Sequence, residues 1–148
     1  MKSLFKRLFK GNNENQPLSY DQAKEMAQDK GEEVRLDLAA RSDVEPEILY
    51  FLADDPSADV RRRIASNKAT PVQADYLLAK DADQDVRGDL AEKIAQLAPG
   101  LTADEQDKMR KMAYEALDAL ARDQVIRVRR ILSEALKDFK RTFDAKAG

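Results

Sequence analysis

The sequence predicts an all-α fold, built as an α-solenoid of about four two-helix units. Three observations lead there. No run of alternating Val, Ile and Thr reads as a strand. Only five Gly and five Pro are present. And one motif recurs four times. Val-Arg pairs stand at Val34-Arg35, Val60-Arg61, Val86-Arg87 and Val128-Arg129, at steps of 26, 26 and 42 residues. Six residues before each Arg stands Asp29, Asp55, Asp81 or Asp123, and two before each Asp stands Ala27, Ala53, Ala79 or Ala121. Met26, Leu52, Leu78 and Leu120 precede those alanines, and Leu38, Ile64, Leu90 and Leu132 follow each Val by four.

Each unit reads as two helices joined by a turn that holds the Asp. The first begins at "SYDQ", where Ser19 and Gln22 form a capping box, and Gly31 separates its helices. In the second, Pro46 opens a helix through about Asp54. Its partner runs from Pro56 to about Ser66, with Asp55 as cap and Val60, Ile64 and Ala65 on one face. The third opens at "TPVQ", with Thr70 as N-cap, Pro71 at the first helical position and Gln73 completing a box; its second helix spans about Asp83 to Leu97. The fourth follows "APG", with Thr102 and Glu105 as another box. Its first helix, about Ala103 to Arg122, and the extended helix before Pro99 absorb the 16 extra residues of the longer step. A last helix runs from about Gln124 to Phe143.

The recurring charges follow from this layout. A turn between paired helices leaves backbone donors that a carboxylate accepts from. An Arg early in the second helix reaches the turn Asp of its own or a neighbouring unit, and its forked guanidinium suits that pairing. Asp29, Arg35, Asp55, Arg61, Asp81, Arg87, Asp123 and Arg129 are therefore expected to form a structural ladder through the stacked units. Arg62, one place along, is expected to be exposed.

The stretch "VRRRIASNKATPVQADYLLAKDADQDVR", Val60 to Arg87, resembles HEAT-like repeats and the related leucine-rich-repeat variant. "PLSYDQAKEMA", "VEPEILYFLADD" and "LAPGLTADEQDKMRKMAYEALDALARDQVIRVRRILSEALKD" together resemble the amino-terminal part of a bacterial HEAT-repeat family of unknown function, over about Pro17 to Asp138. The resemblance implies a right-handed α-solenoid of about four two-helix HEAT-like units and implies no activity. Some leucine-rich-repeat-variant proteins hold an iron–sulfur cluster on Cys, which does not transfer to a chain without Cys. Members of the bacterial family continue with more helical units, whereas this chain departs into "FKRTFDAKAG" and so reads as a short form or a fragment.

Composition narrows the function. Of 148 residues 36% are charged, and there is neither Cys nor His. That removes thiol nucleophiles, imidazole bases, disulfides and zinc-finger sites together. No glycine loop suited to phosphate and no calcium-loop spacing is present; the runs "ADDPSAD", "KDADQD" and "TADEQD" read as helix caps. Net charge is −2, spread unevenly. Residues 1–10 carry four basic residues and residues 137–148 four basic and two acidic ones, leaving a body of 18 basic and 26 acidic residues, net −8. An acidic body argues against nucleic acid as a partner, as does the absence of Trp.

The expected organisation is a basic amphipathic segment (1–10), a polar linker (11–18), a helical repeat domain (19–144) and a tail (145–148). In the first segment Leu4, Phe5, Leu8 and Phe9 share a face, with Lys2, Lys6, Arg7 and Lys10 around the other, a pattern suited to an anionic membrane surface. Its charges break the apolar run a signal peptide needs. Tyr50 and Tyr76, each ten residues before a Val-Arg, are candidates for an aromatic protein-binding strip or for packing between first helices. Asp37, Arg63 and Asp89 are expected to line adjacent second helices as exposed ion pairs, open to a partner. Arg127, Arg130, Lys137 and Arg141, with Phe139 and Phe143, form a basic stripe on the last helix, read as a solvated face or an end cover. The expectation is a cytoplasmic, non-enzymatic interaction module without catalytic residues, cofactor or metal, whose partner is another protein. The alternatives are a peripheral adaptor on the inner face of the membrane and, third, a HEAT-like enzyme acting on nucleic acid.

Overall fold

The structure, a computed structural model, describes residues 17–144, apart from some side chains of the last two helices. The expected membrane contacts Leu4, Phe5, Leu8, Phe9, Lys2, Lys6, Arg7 and Lys10 lie outside the described residues, as do most of the linker and the tail. The described residues are all-α, with no strand among them. None of their helices is long and apolar enough to cross a membrane.

The chain divides into two compact units, residues 1–71 and 72–148. The first holds α1 (Tyr20–Ala27), α2 (Glu32–Ala39), α3 (Pro46–Leu52) and α4 (Ala58–Ser66). Helices of seven to nine residues are too short to persist alone, so packing must hold them. Local signals still set their starts. Ser19 Oγ accepts from Gln22 N at 3.2 Å while Gln22 Oε1 accepts from Ser19 N at 3.0 Å, closing the expected capping box. Gly31 is the N-cap of α2, and Pro46 opens α3. α1 packs on α2 and α3 on α4 as hairpins; α1 then lies against α3, and α2 against α4.

The second unit repeats this arrangement with α5 (Val72–Leu78), α6 (Gln84–Leu97), α7 (Ala103–Ala121) and α8 (Ile126–Asp144), a 3-10 turn at Ala98–Gly100 joining α6 to α7. Here α5 packs on α6 and α7 on α8, with α5 against α7 and α6 against α8. The Thr102–Glu105 capping box opens α7. In both units the repeated apolar residues make the core: Val34, Val60, Val86 and Val128, with Leu38, Ile64, Leu90 and Leu132, are at most 2% exposed.

The four turns share one geometry. Asp29, Asp55, Asp81 and Asp123 each accept, through Oδ1, the N–H two residues on, at 2.7–2.9 Å. Their own N–H groups bond Met26, Leu52, Leu78 and Leu120 O. Arg35, Arg61 and Arg87 each donate Nη1 to the carbonyl of their own turn Asp, at 2.7–2.8 Å. In the first unit Arg35 Nε also reaches Asp55 Oδ2 at 2.8 Å and Nη2 reaches Oδ1 at 3.3 Å. In the second, Arg87 grips Asp123 in the same way, at 2.7 and 3.3 Å. The two carboxylates are 3% and 5% exposed.

Several expectations need correction. Asp55 does not cap α4: Ser57 does, accepting from Val60 N, and Pro56 lies ahead of the helix. The Asp55 carboxylate is already committed to Arg35 and Ser57 N. α5 begins at Val72, after Pro71, and the Thr70 hydroxyl is turned back to donate to Ile64 O at 2.8 Å. Arg62 is half-buried and bonded, not a free surface residue. Arg129 is exposed and, among the described residues, reaches neither Asp123 nor another carboxylate. Asp37 and Arg63 are exposed without pairing, while Asp89 is half-buried and bonded.

These differences separate the arginines by stability. Arg35→Ala strands a buried carboxylate and should cost about 1–3 kcal/mol. Arg63→Ala and Arg129→Ala, at exposed positions, should each change stability by no more than about 0.5 kcal/mol. Urea unfolding of the three variants checks the order. Gly88 sits inside α6, where an added Cβ meets only Val128 Cγ2, at 4.0 Å. Gly88→Ala should therefore stabilise by about 0.5–1 kcal/mol in the same assay.

Candidate interaction surface

In the first unit α1 and α3 leave a shallow groove between them. It is lined by Tyr20, Lys24, Ala27 and Gln28 from α1 and its end, and by Glu47, Ile48 and Phe51 from α3, and encloses about 150 Å³. Helical spacing makes it. Tyr20, Lys24 and Ala27 recur every three or four residues along α1, as do Glu47 or Ile48 and Phe51 along α3. Ala27 and Ile48, 4% and 5% exposed, form an apolar floor. The rims are aromatic: Tyr20 is 46% exposed and Phe51 55%. Lys24 and Glu47 add one charge of each sign.

The polypeptide enters beside this groove. Arg41 holds Asp43 through two bonds, at 2.8 and 2.7 Å. That hydrogen bonding keeps the Asp43 carboxyl below the usual carboxylate range, helped by the charge of Arg41 and by the Leu18 N–H directed at it. Farther along, Asn67 Nδ2 donates to Ala39 O and Arg41 O, both at 2.8 Å, bracing the end of α2 against the end of α4.

The expected aromatic pair is treated unequally. Tyr50, 45% exposed, stands beside Phe51 on α3. Tyr76, on α5, is half-buried; its hydroxyl accepts from Lys80 Nζ at 2.7 Å, and that ammonium lies 4.3 Å from its ring centre. On the last helix Arg127 pairs with Glu92 at 3.0 Å, and Arg130 and Lys137 are exposed. The side chains of Phe139, Arg141 and Phe143 lie outside the description.

Sequence reasoning missed two features. Tyr20 and Phe51 were absorbed into helix patterns, although both were legible as large apolar residues off the core stripe. The other is a buried ion pair in the second unit, Lys93 Nζ to Asp75 Oδ1 at 2.7 Å, with side chains 3% and 14% exposed. Lys93 falls on the stripe of Val86, Leu90 and Ile94, so its burial could have been read from spacing. Its partner on another helix could not. Burial pushes the Asp75 carboxyl up to about 6 against the attraction of Lys93, and pulls the Lys93 ammonium down.

Among the described residues no cluster of His, Cys, Asp or Glu is arranged to hold a metal ion. What the groove can do chemically is receive apolar side chains with charges at its edge. Comparison with known protein families, curated proteins and solved structures gives no match.

The Asp75 site carries a pH dependence. An Asp in the unfolded chain titrates near 4. Between about pH 4 and 6 the native state keeps a proton that the unfolded state loses, so this site favours folding most below about pH 4 and loses that contribution as pH rises through about 6. Titration near 6 rather than near 4 is worth on the order of 2 kcal/mol. Relative to Asp75→Asn, the wild-type chain should lose about that much urea stability between pH 4 and 7. Parallel profiles for the two proteins would contradict it.

Proposed function

We propose that the chain is a non-enzymatic protein-interaction module: an α-solenoid of HEAT-like helix pairs whose α1–α3 groove takes apolar side chains from a helix or extended segment of a partner protein. The observation that carries this reading is the pair of exposed rings, Tyr20 and Phe51, over a buried apolar floor. Large aromatics cost free energy in water, and a rim of two with a ready pocket between them is the arrangement that anchors binding partners. Tyr50 is a further exposed aromatic on α3, outside the groove lining, and Arg63 and Asp37, exposed on second helices, are available for polar contacts elsewhere on the first unit. The like-on-like stacking of helices within each unit and the recurrent turn support the solenoid and HEAT-like parts of the proposal.

A second reading, a peripheral membrane adaptor, draws on the basic amphipathic pattern of residues 1–10. Sedimentation with anionic vesicles of the full chain and of its Leu8→Glu, Phe9→Glu variant separates it. Equal sedimentation of the two removes that reading.

The groove reading is tested with Phe51→Asp. Phe51 is exposed, so this variant should melt within about 2 °C of wild type. Affinity capture from the native cell should recover one recurrent partner on the wild-type chain and lose it at least tenfold on Phe51→Asp. Undiminished capture would place the partner elsewhere and overturn the reading.

A further inference from the structure

We infer that the α1–α3 groove has an occupant within the same chain: residues 1–10 dock there through Leu4, Phe5, Leu8 and Phe9. The inference rests on the proposal that this groove is a binding surface, and adds how that surface is regulated. Three observations converge on it.

The first is position. Tyr20 both begins α1 and lines the groove. The described residues begin at Pro17, three before this groove-lining side chain, so the segment ahead of them is joined to the chain close by. The second is length. Residues 11–17 reach up to roughly 25 Å when extended, about twice the length of the eight-residue α1. A ten-residue helix is about 15 Å long, close to the length of the two helices that form the groove. "GNNENQ" is polar and free of secondary-structure demands, suited to a reversal of direction.

The third is charge and shape together. Along α1 and α3 the charged residues are Asp21, Glu25 and Glu47 against Lys24 alone, and Glu45 precedes α3. None of these acids has an ion-pair partner among the described residues. The segment carries Lys2, Lys6, Arg7 and Lys10 and no acid. A basic segment with one apolar face thus meets an apolar groove whose own lining carries one charge of each sign, Lys24 and Glu47, on a pair of helices that is acidic as a whole. Its phenylalanines supply the side chains that would sit between Tyr20 and Phe51. A partner protein must displace the segment, so its apparent affinity falls by the fraction of chains in which the groove is filled.

The full chain has no Cys, so Ser3→Cys gives a single nitroxide site. Docking predicts that the label broadens the amide signals of Lys24, Gln28 and Phe51 to less than half their intensity, while Arg63 on α4 keeps its own. Phe51→Asp should abolish the broadening while the amide signals of α2 and α4 keep their folded positions, the melt falling only by what docking contributed. Broadening that is absent, or equal at Arg63 and Phe51, overturns the inference. So does broadening of isotope-labelled, spin-free chains mixed with spin-labelled ones, which would make the occupant a second copy. So does groove broadening lacking in buffer when the segment binds anionic vesicles. Loss of the captured partner on Phe51→Asp with no groove broadening in wild type would sink this inference and leave the groove's partner-binding role standing.

Discussion

A carboxylate buried in the turn between two short helices, and the arginine that reaches it from the preceding pair, is the interaction on which the rest of the structure depends. Helices of seven to nine residues have little stability of their own. Their turns also carry peptide groups that must be satisfied away from water. The turn Asp takes the N–H two residues ahead, and the Arg six residues on takes its carbonyl. Arg35 and Arg87 then extend the guanidinium to the carboxylate of the next pair, so one side chain closes its own turn and holds its neighbour. Lys could not do this. An ammonium is a point charge, whereas the planar fork points one edge at the carboxylate and its other nitrogen at the carbonyl.

The 42-residue step tests how far that interaction constrains the fold. The second unit inserts 16 residues into the repeat, yet the Arg87–Asp123 contacts match Arg35–Asp55 to within 0.1 Å. The added length goes where the clamp is not. It lengthens the end of α6 and the start of α7, joined through the Ala98–Gly100 turn. Those ends lie away from the Asp turns, so growth there leaves the turn geometry intact.

What could be read from the sequence follows the range of each interaction. The apolar periodicity, the Ser19 and Thr102 capping boxes and the recurring Asp and Arg are local patterns, and the helices come out within two residues of expectation at most ends. The start of α4 was misread because Asp55 and Ser57 are both good caps. The choice between them is made by Arg35, twenty residues away, which claims the Asp55 carboxylate. Arg129 matches the motif yet makes no clamp among the described residues, because a motif records a residue and not the carboxylate that must face it. The Lys93–Asp75 pair was hidden for a related reason: its burial is periodic, but its satisfaction depends on how α5 and α6 face one another. Of the candidate surface, Tyr50 was singled out while its neighbour Phe51, which lines the groove, was not.

Position 51 shows where a chain under these constraints can vary. The motif positions are the same or nearly the same in each repeat because turn and core geometry leave them little freedom. Phe51 lies outside that set, and its equivalents one step before and after are Glu25 and Leu77. All three are exposed and on first helices, so a change of side chain there disturbs neither the Asp clamp nor the Val and Leu core. An acid, an aromatic and an aliphatic residue therefore occupy one structural position in successive pairs. A surface of this kind acquires its binding preference from side chains that the fold does not need. That is why the residues repeated most faithfully, Arg35 and Arg87 among them, explain stability, while positions such as 51 are free to differ from pair to pair.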